Sequence, residues 1–188
     1  MKRNHVITLA VLITVCFCPV AKSYSQSTIS LDSIKSALVK DWERAKAYTQ
    51  DYMKAMPANK YSFKANDSVR TFAQQLLHIA EAHKFFMTIA TGGKVSMAGP
   101  GLEKTASAQS ADSVMYYVNS SYDHVISTIK NISPGAMLQS QSFNMGQTVS
   151  STGLGWIMKA FEHQTHHRGQ ATIYLRLAGV HPPQERLF

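Results

Sequence analysis

Beyond residue 18 the chain contains no cysteine; its only two, Cys16 and Cys18, sit inside an apolar run near the start. A domain without thiols has no disulfide, no thiolate metal site and no cysteine nucleophile, so histidines, carboxylates and hydroxyls must carry any chemistry. The pattern CxxCH is missing, which excludes covalent haem attachment. A Gly-rich phosphate loop and a GxSxG elbow are missing too. Met and His form no tight cluster, so Met53, Met56 and Met87 read as core filling rather than copper ligands.

Long apolar runs are scarce as well. The single candidate, residues 6–20, follows the positive start Met1-Lys2-Arg3 and precedes the small residues of Ser23-Tyr24-Ser25. It falls short of the ~20 residues that span a bilayer as a helix. Residues 1–25 are therefore expected to be a secretory signal peptide and residues 26–188 a single domain, exported to the periplasm or beyond the cell, with no stable membrane insertion after cleavage. Cleavage after Ser25 removes Lys2, Arg3 and Lys22 and keeps all 11 acidic residues, lowering the formal charge from +8 to +5. Basic residues are mixed with acids, as in Lys40-Asp41-Trp42-Glu43-Arg44, so no nucleic-acid face is expected.

Four long segments carry a helical apolar period, and none shows strand alternation. The first, residues 31–56, places Ile34, Leu38, Trp42, Ala45, Tyr48 and Tyr52 on one stripe and stops before Pro57. The second begins near Asn66-Asp67-Ser68 and stops at Gly92-Gly93. The third covers residues 111–132, with Val114, Val118, Val125 and Ile129 inward; the fourth covers residues 152–178 and ends at Gly179. The link between the second and third helices, residues 93–110, is long for a bundle turn and can cross the whole length of a helix. The pattern predicts an all-α four-helix bundle with a crossover between helices two and three. Residues 133–150 read as a Ser/Gln/Gly-rich connection capping one end.

The informative segment is Phe161-Glu162-His163-Gln164-Thr165-His166-His167-Arg168-Gly169-Gln170. Trp156, Ala160, His163, His167, Ala171, Tyr174 and Ala178 fall on one helical stripe, which puts His163 and His167 at the centre of the inward face. Imidazoles at i and i+4 stand one turn apart and can share an ion at ~2.0–2.1 Å. They can equally be core histidines bonded to hydroxyls or carbonyls. A third ligand has two candidates on the second helix, His78 and His83; periodicity mildly favours His83, which aligns with Val69, Phe72, Ala73, Leu76 and Ala80. Gln170 is the better inward candidate of the Arg168/Gln170 pair.

The run from His163 through Tyr174-Leu175-Arg176-Leu177-Ala178-Gly179-Val180 to Pro182-Pro183 resembles the closing helix of the DinB/YfiT-like family. His78-Ile79-Ala80-Glu81-Ala82 resembles that family's second-helix signature, whose opening histidine is the first metal ligand. The resemblance selects His78 over His83 and implies a zinc or nickel site at His78, His163 and His167, in a four-helix bundle that is frequently a dimer. Some related members transfer small thiol cofactors, although an exported copy would work away from the cytosolic thiols. Glu81, three residues after His78, could then orient a ligand or act as a base; the plainer reading is a solvent-facing glutamate.

Three neutral imidazoles leave an ion with open positions. The expected activity is that of a metal-dependent hydrolase or transferase acting on a small molecule between the second and fourth helices, with Glu81 and Gln170 as candidate catalytic groups. The alternative is a non-catalytic, metal-binding or ligand-sensing bundle.

Overall fold

Helix α1 (Leu31–Ala55) begins where the Ser30 hydroxyl accepts the Ser33 N–H, and α2 (Phe72–Ala90) begins with a reciprocal capping box between Thr71 and Gln74. Helix α3 (Ala111–Asn131) is capped by Ser110 in the same way. The short helix α4 (Pro134–Leu138) starts at Ser133 with proline in its first turn, and α5 (Gly153–Leu177) starts at Thr152. Each of these five α-helices thus opens on a hydroxyl that satisfies an otherwise orphaned N–H. The computed structural model describes residues 29–96, 99 and 101–188; the expected signal segment, residues 1–25, lies outside them. No described helix is long and apolar enough to cross a membrane.

Side-chain pairs fix the directions of the long helices. Lys35 donates to the Ile132 carbonyl, Lys46 meets Asp123 and Gln50 donates to Asn119, so α1 and α3 are antiparallel. The Tyr174 hydroxyl donates to the Arg70 carbonyl just before α2, Gln75 meets His167, and Phe86 packs on Trp156, so α2 and α5 are antiparallel. Trp42 packs on Phe161 and Tyr52 bonds to Thr172, which makes α1 and α5 parallel. Helices α2 and α3 therefore run the same way, and the segment between them is the expected crossover. It returns along α2, where the Glu81 carboxylate accepts the Leu102 N–H and Glu103 pairs with Arg70 at 2.6 Å.

Two expectations are corrected. Asn66, Asp67 and Ser68 do not start α2: the Asn66 side chain accepts the Ser68 N–H in a turn, and the helix waits for Thr71. The connection after α3 also contains an antiparallel hairpin, β1 (Ser140–Asn144) with β2 (Thr148–Thr152), in which Phe143 faces Val149. One face of that hairpin is polar and exposed. The other is anchored by Phe143, 5.0 Å from Phe85, and by the Gln141 carbonyl, which accepts the Trp156 indole N–H at 3.0 Å. Contact with the bundle end stabilises two strands too short to persist alone.

Trp42 is fully buried at the centre, its ring edge-on to His83, Tyr122 and Phe161. Such aromatic contacts add ~0.5–1.5 kcal/mol each beyond area burial. They lock α1 to the other three long helices and so hold α2 and α5 at the spacing the histidines need.

Candidate metal centre

Helices α2 and α5 bring His78, His163 and His167 together. Ring centroids lie 5.0 Å apart for His78–His163, 4.6 Å for His78–His167 and 4.3 Å for His163–His167. One ring nitrogen from each lies within 4.8 Å of the others, a span that small side-chain rotations reduce to the ~3.4 Å between ligands of one tetrahedral ion. The i, i+4 spacing on α5 supplies two rings, and the antiparallel neighbour supplies the third.

The surroundings keep these rings neutral. Burial, followed by the His78 ring, lowers the His163 pKa to about 4; burial, followed by His163, lowers that of His167 to about 3. His78 is also lowered, by burial first and by Arg70 second, with Glu103 opposing. A neutral imidazole has one acceptor nitrogen, the form a metal requires.

Which nitrogen is free follows from the partners of the other. His78 Nδ1 lies 3.5 Å from Glu103 Oε2 and 3.4 Å from Arg70 Nη2. These neighbours favour opposite tautomers, and the carboxylate favours Nδ1–H, leaving Nε2 for an ion. His167 Nδ1 is 2.8 Å from the Gln75 side-chain amide, which is also bonded to Gln170. The amide nitrogen of Gln75 faces Nδ1 and also donates to Gln170 Oε1; turning the two amides over puts the Gln75 oxygen on Nδ1–H and again frees Nε2 for an ion. His163 Nδ1 is buried without any hydrogen-bond partner. An orphaned nitrogen inside a cluster of neutral imidazoles fits a metal ligand, because an uncompensated buried polar atom is otherwise costly.

His83 is placed elsewhere. It is fully buried, its Nδ1 is 2.9 Å from the Ser121 hydroxyl, and its ring packs 4.6 Å from Tyr122. The apolar moment that favoured it had found a core residue. Glu81 is half-buried and holds the crossover to α2 through the Leu102 N–H, instead of facing solvent. Gln170 is exposed rather than inward, bridging Gln75 and His166, whereas Arg168 is the buried member of that pair. Arg70, Gln75 and Glu103 are neighbours of the histidine cluster that sequence reasoning missed. Gln75 had a signal, since it lies one turn before His78; Arg70 and Glu103 meet only through the crossover.

A cleft of about 700 Å³ is lined by Arg70, Gln75, Glu103, Gln170, Ile173 and Tyr174 among others; none of the three histidines lines it, and Arg70, Gln75 and Glu103 stand between it and the imidazoles they contact. The model of the DinB family matches residues 26–186. The chain belongs to the DinB family. Solved DinB-like structures share the fold at low sequence identity. A Bacillus cereus DinB-like protein is 17% identical with a TM-score of 0.61, over 80% of this chain and 97% of its own. A DinB-like protein from Bacillus subtilis is 15% identical with a TM-score of 0.60, over 81% and 96%. A proposed DinB-family member from Exiguobacterium sibiricum is 19% identical with a TM-score of 0.62, over 82% and 97%. No curated protein matches the chain. At these identities the likeness to solved structures carries the DinB fold and nothing about substrates.

Proposed function

We propose that this DinB-family protein is exported after loss of residues 1–25, holds one zinc or nickel ion at His78, His163 and His167, and uses it to hydrolyse or transfer a group on a small molecule. The observation that carries the reading is the three-imidazole cluster beside an accessible cleft. Among the described residues no fourth side chain groups with all three imidazoles: Glu81 and Glu103 approach His78 alone, Glu81 Oε1 also accepts the Leu102 N–H, and His83 is committed to the core. Three histidines with open positions are the pattern of catalytic rather than structural sites. The cleft volume of about 700 Å³ lies in the range of small-molecule sites.

An ion in this site would supply Lewis acidity for activating water or polarising a carbonyl or leaving group. The protein's own groups do the rest. Arg70, partly neutralised by Glu103, offers charge to an anionic part of the substrate. Gln75 and Gln170 present amides at the cleft wall beside His167. Glu103 keeps His78 in the tautomer that binds, and Glu81 holds the crossover that carries Glu103.

The test is a panel of ester, amide, phosphoester and thiol-transfer substrates assayed with metal-replete and chelator-treated protein. Turnover that disappears on chelation and returns with zinc or nickel supports the reading. A protein that binds stoichiometric metal yet turns over no class in the panel is instead a metal-binding or sensing bundle.

A further inference from the structure

Arg168 is only 6% exposed, yet it has no counter-ion. All 11 carboxylate side chains belong to described residues, and none comes within 4.0 Å of its guanidinium. An arginine cannot shed its proton to relieve this burial. Its Nη1 donates to Gln164 Oε1 at 2.7 Å and to Thr49 Oγ1 at 3.4 Å, the buried Tyr122 hydroxyl lies beside the group as well, and the guanidinium carbon sits 4.6 Å from the Tyr48 ring centroid. These neutral partners orient the group without balancing its charge.

The other edge of the guanidinium is free. Among the described residues Nε and Nη2 have no hydrogen-bond acceptor, neither is among the sealed, unpartnered atoms, and Arg168 lines the adjoining cavity. That cavity, of about 450 Å³, lies between α1, α5 and the C-terminal segment, on a different side of α5 from the histidines. Arg176 and His181 add positive or protonatable groups to its wall, and Glu185 is the one acid in its lining. Tyr48 and the Pro182-Pro183 pair give it apolar surface. The C-terminal segment is tied down over α1 by Arg186–Asp51 at 2.8 Å and by Arg44, which donates to the Arg186 carbonyl.

We infer that this cavity is a second binding site, taking a small organic carboxylate whose two oxygens pair with Nε and Nη2 of Arg168 and whose body lies on Tyr48 and Pro182. A planar fork with both donors free matches a carboxylate bidentately, and the partial burial strengthens the pair. The site is independent of the histidine cluster.

Calorimetric titration of the full chain with benzoate and with succinate tests it, using neutral benzamide and matched chloride as controls. Saturable binding of at least one carboxylate, with neither control binding, is expected. Arg168→Lys should weaken it about tenfold or more, since a lysine keeps the charge and loses the fork. Arg168 also supports the core, so Gly169→Leu is the second variant. A Cβ at Gly169 meets nothing within 4 Å, and leucine favours the helix while filling the cavity mouth. Gly169→Leu should abolish binding in a folded protein, and His163→Ala should leave it unchanged. Absence of saturable carboxylate binding, equal binding of benzamide, persistence in Gly169→Leu, or loss in His163→Ala would each overturn the site.

Discussion

Glu103, from the crossover, faces His78 Nδ1 across 3.5 Å while its Oε2 is held by Arg70 Nε at 2.6 Å. A carboxylate behind an imidazole fixes the ring's tautomer and raises its basicity, and losing such a partner typically lowers metal affinity ~10–100-fold. Glu103→Ala also leaves the Arg70 charge beside His78 unopposed. The expected result is a loss in that range in a chelator-competition titration, with helix content unchanged. Undiminished affinity would remove Glu103 from the site.

Metal and folding should be linked. An ion that binds only the folded chain stabilises it by ~2.7 kcal/mol at a free concentration of 100 times Kd. Thermal unfolding of the wild type should therefore move upward as zinc or nickel is added. In His163→Ala the shift should nearly vanish, because a ligand with a buried, unpartnered Nδ1 has been removed.

His83 contributes to acid stability, as His163 and His167 do, but not to the metal site. Burial, then the charges of His163 and His124, hold its pKa at about 3, against 6.5 in an ordinary histidine. The unfolded chain takes up this proton near 6.5 and the folded chain refuses it. The stability is thus fully present above that pH and is lost as pH falls towards 3. At pH 5 the loss from His83 alone is on the order of 2 kcal/mol. Urea unfolding of chelator-treated wild type and His83→Leu at pH 8 and pH 5 should show the smaller decline in the variant. Equal declines would show that His83 is not a source of acid sensitivity.

Gly153 starts α5 against fixed backbone. A Cβ there would lie 2.7 Å from the Ala90 carbonyl oxygen and closer still to that of Ala136. Neither carbonyl is a flexible group, so Gly153→Ala forces α5 away from α2 and α4. A destabilisation of about 3 kcal/mol is expected from overpacking. Denaturant titration measures it, and metal affinity should fall with it because α5 carries two of the three imidazoles.

The four long helices were legible because each keeps its apolar residues on a period that tertiary contacts do not alter; Val114, Val118, Val125 and Ile129 are all buried as the pattern requires. The hairpin was hidden because only Phe143 and Val149 mark its inward face with bulk, among serines and threonines that read as loop. The true start of α2 was written in Thr71 and Gln74, but Asn66 and Ser68 form a competing local turn. At the site, spacing supplied His163 and His167, while the moment confused a half-buried ligand candidate with the buried His83. The family signature resolved that choice. Arg70 and Glu103 were invisible because a loop far along the chain brings them together, and no periodicity records such a meeting.

Metal content per chain decides whether the three imidazoles form a centre. Elemental analysis after purification and reconstitution with zinc or nickel should give one ion per wild-type chain and little in His78→Ala or His167→Ala, with all three proteins helical by circular dichroism. A wild type that holds no stoichiometric metal, or variants that retain it in full, would contradict the assignment.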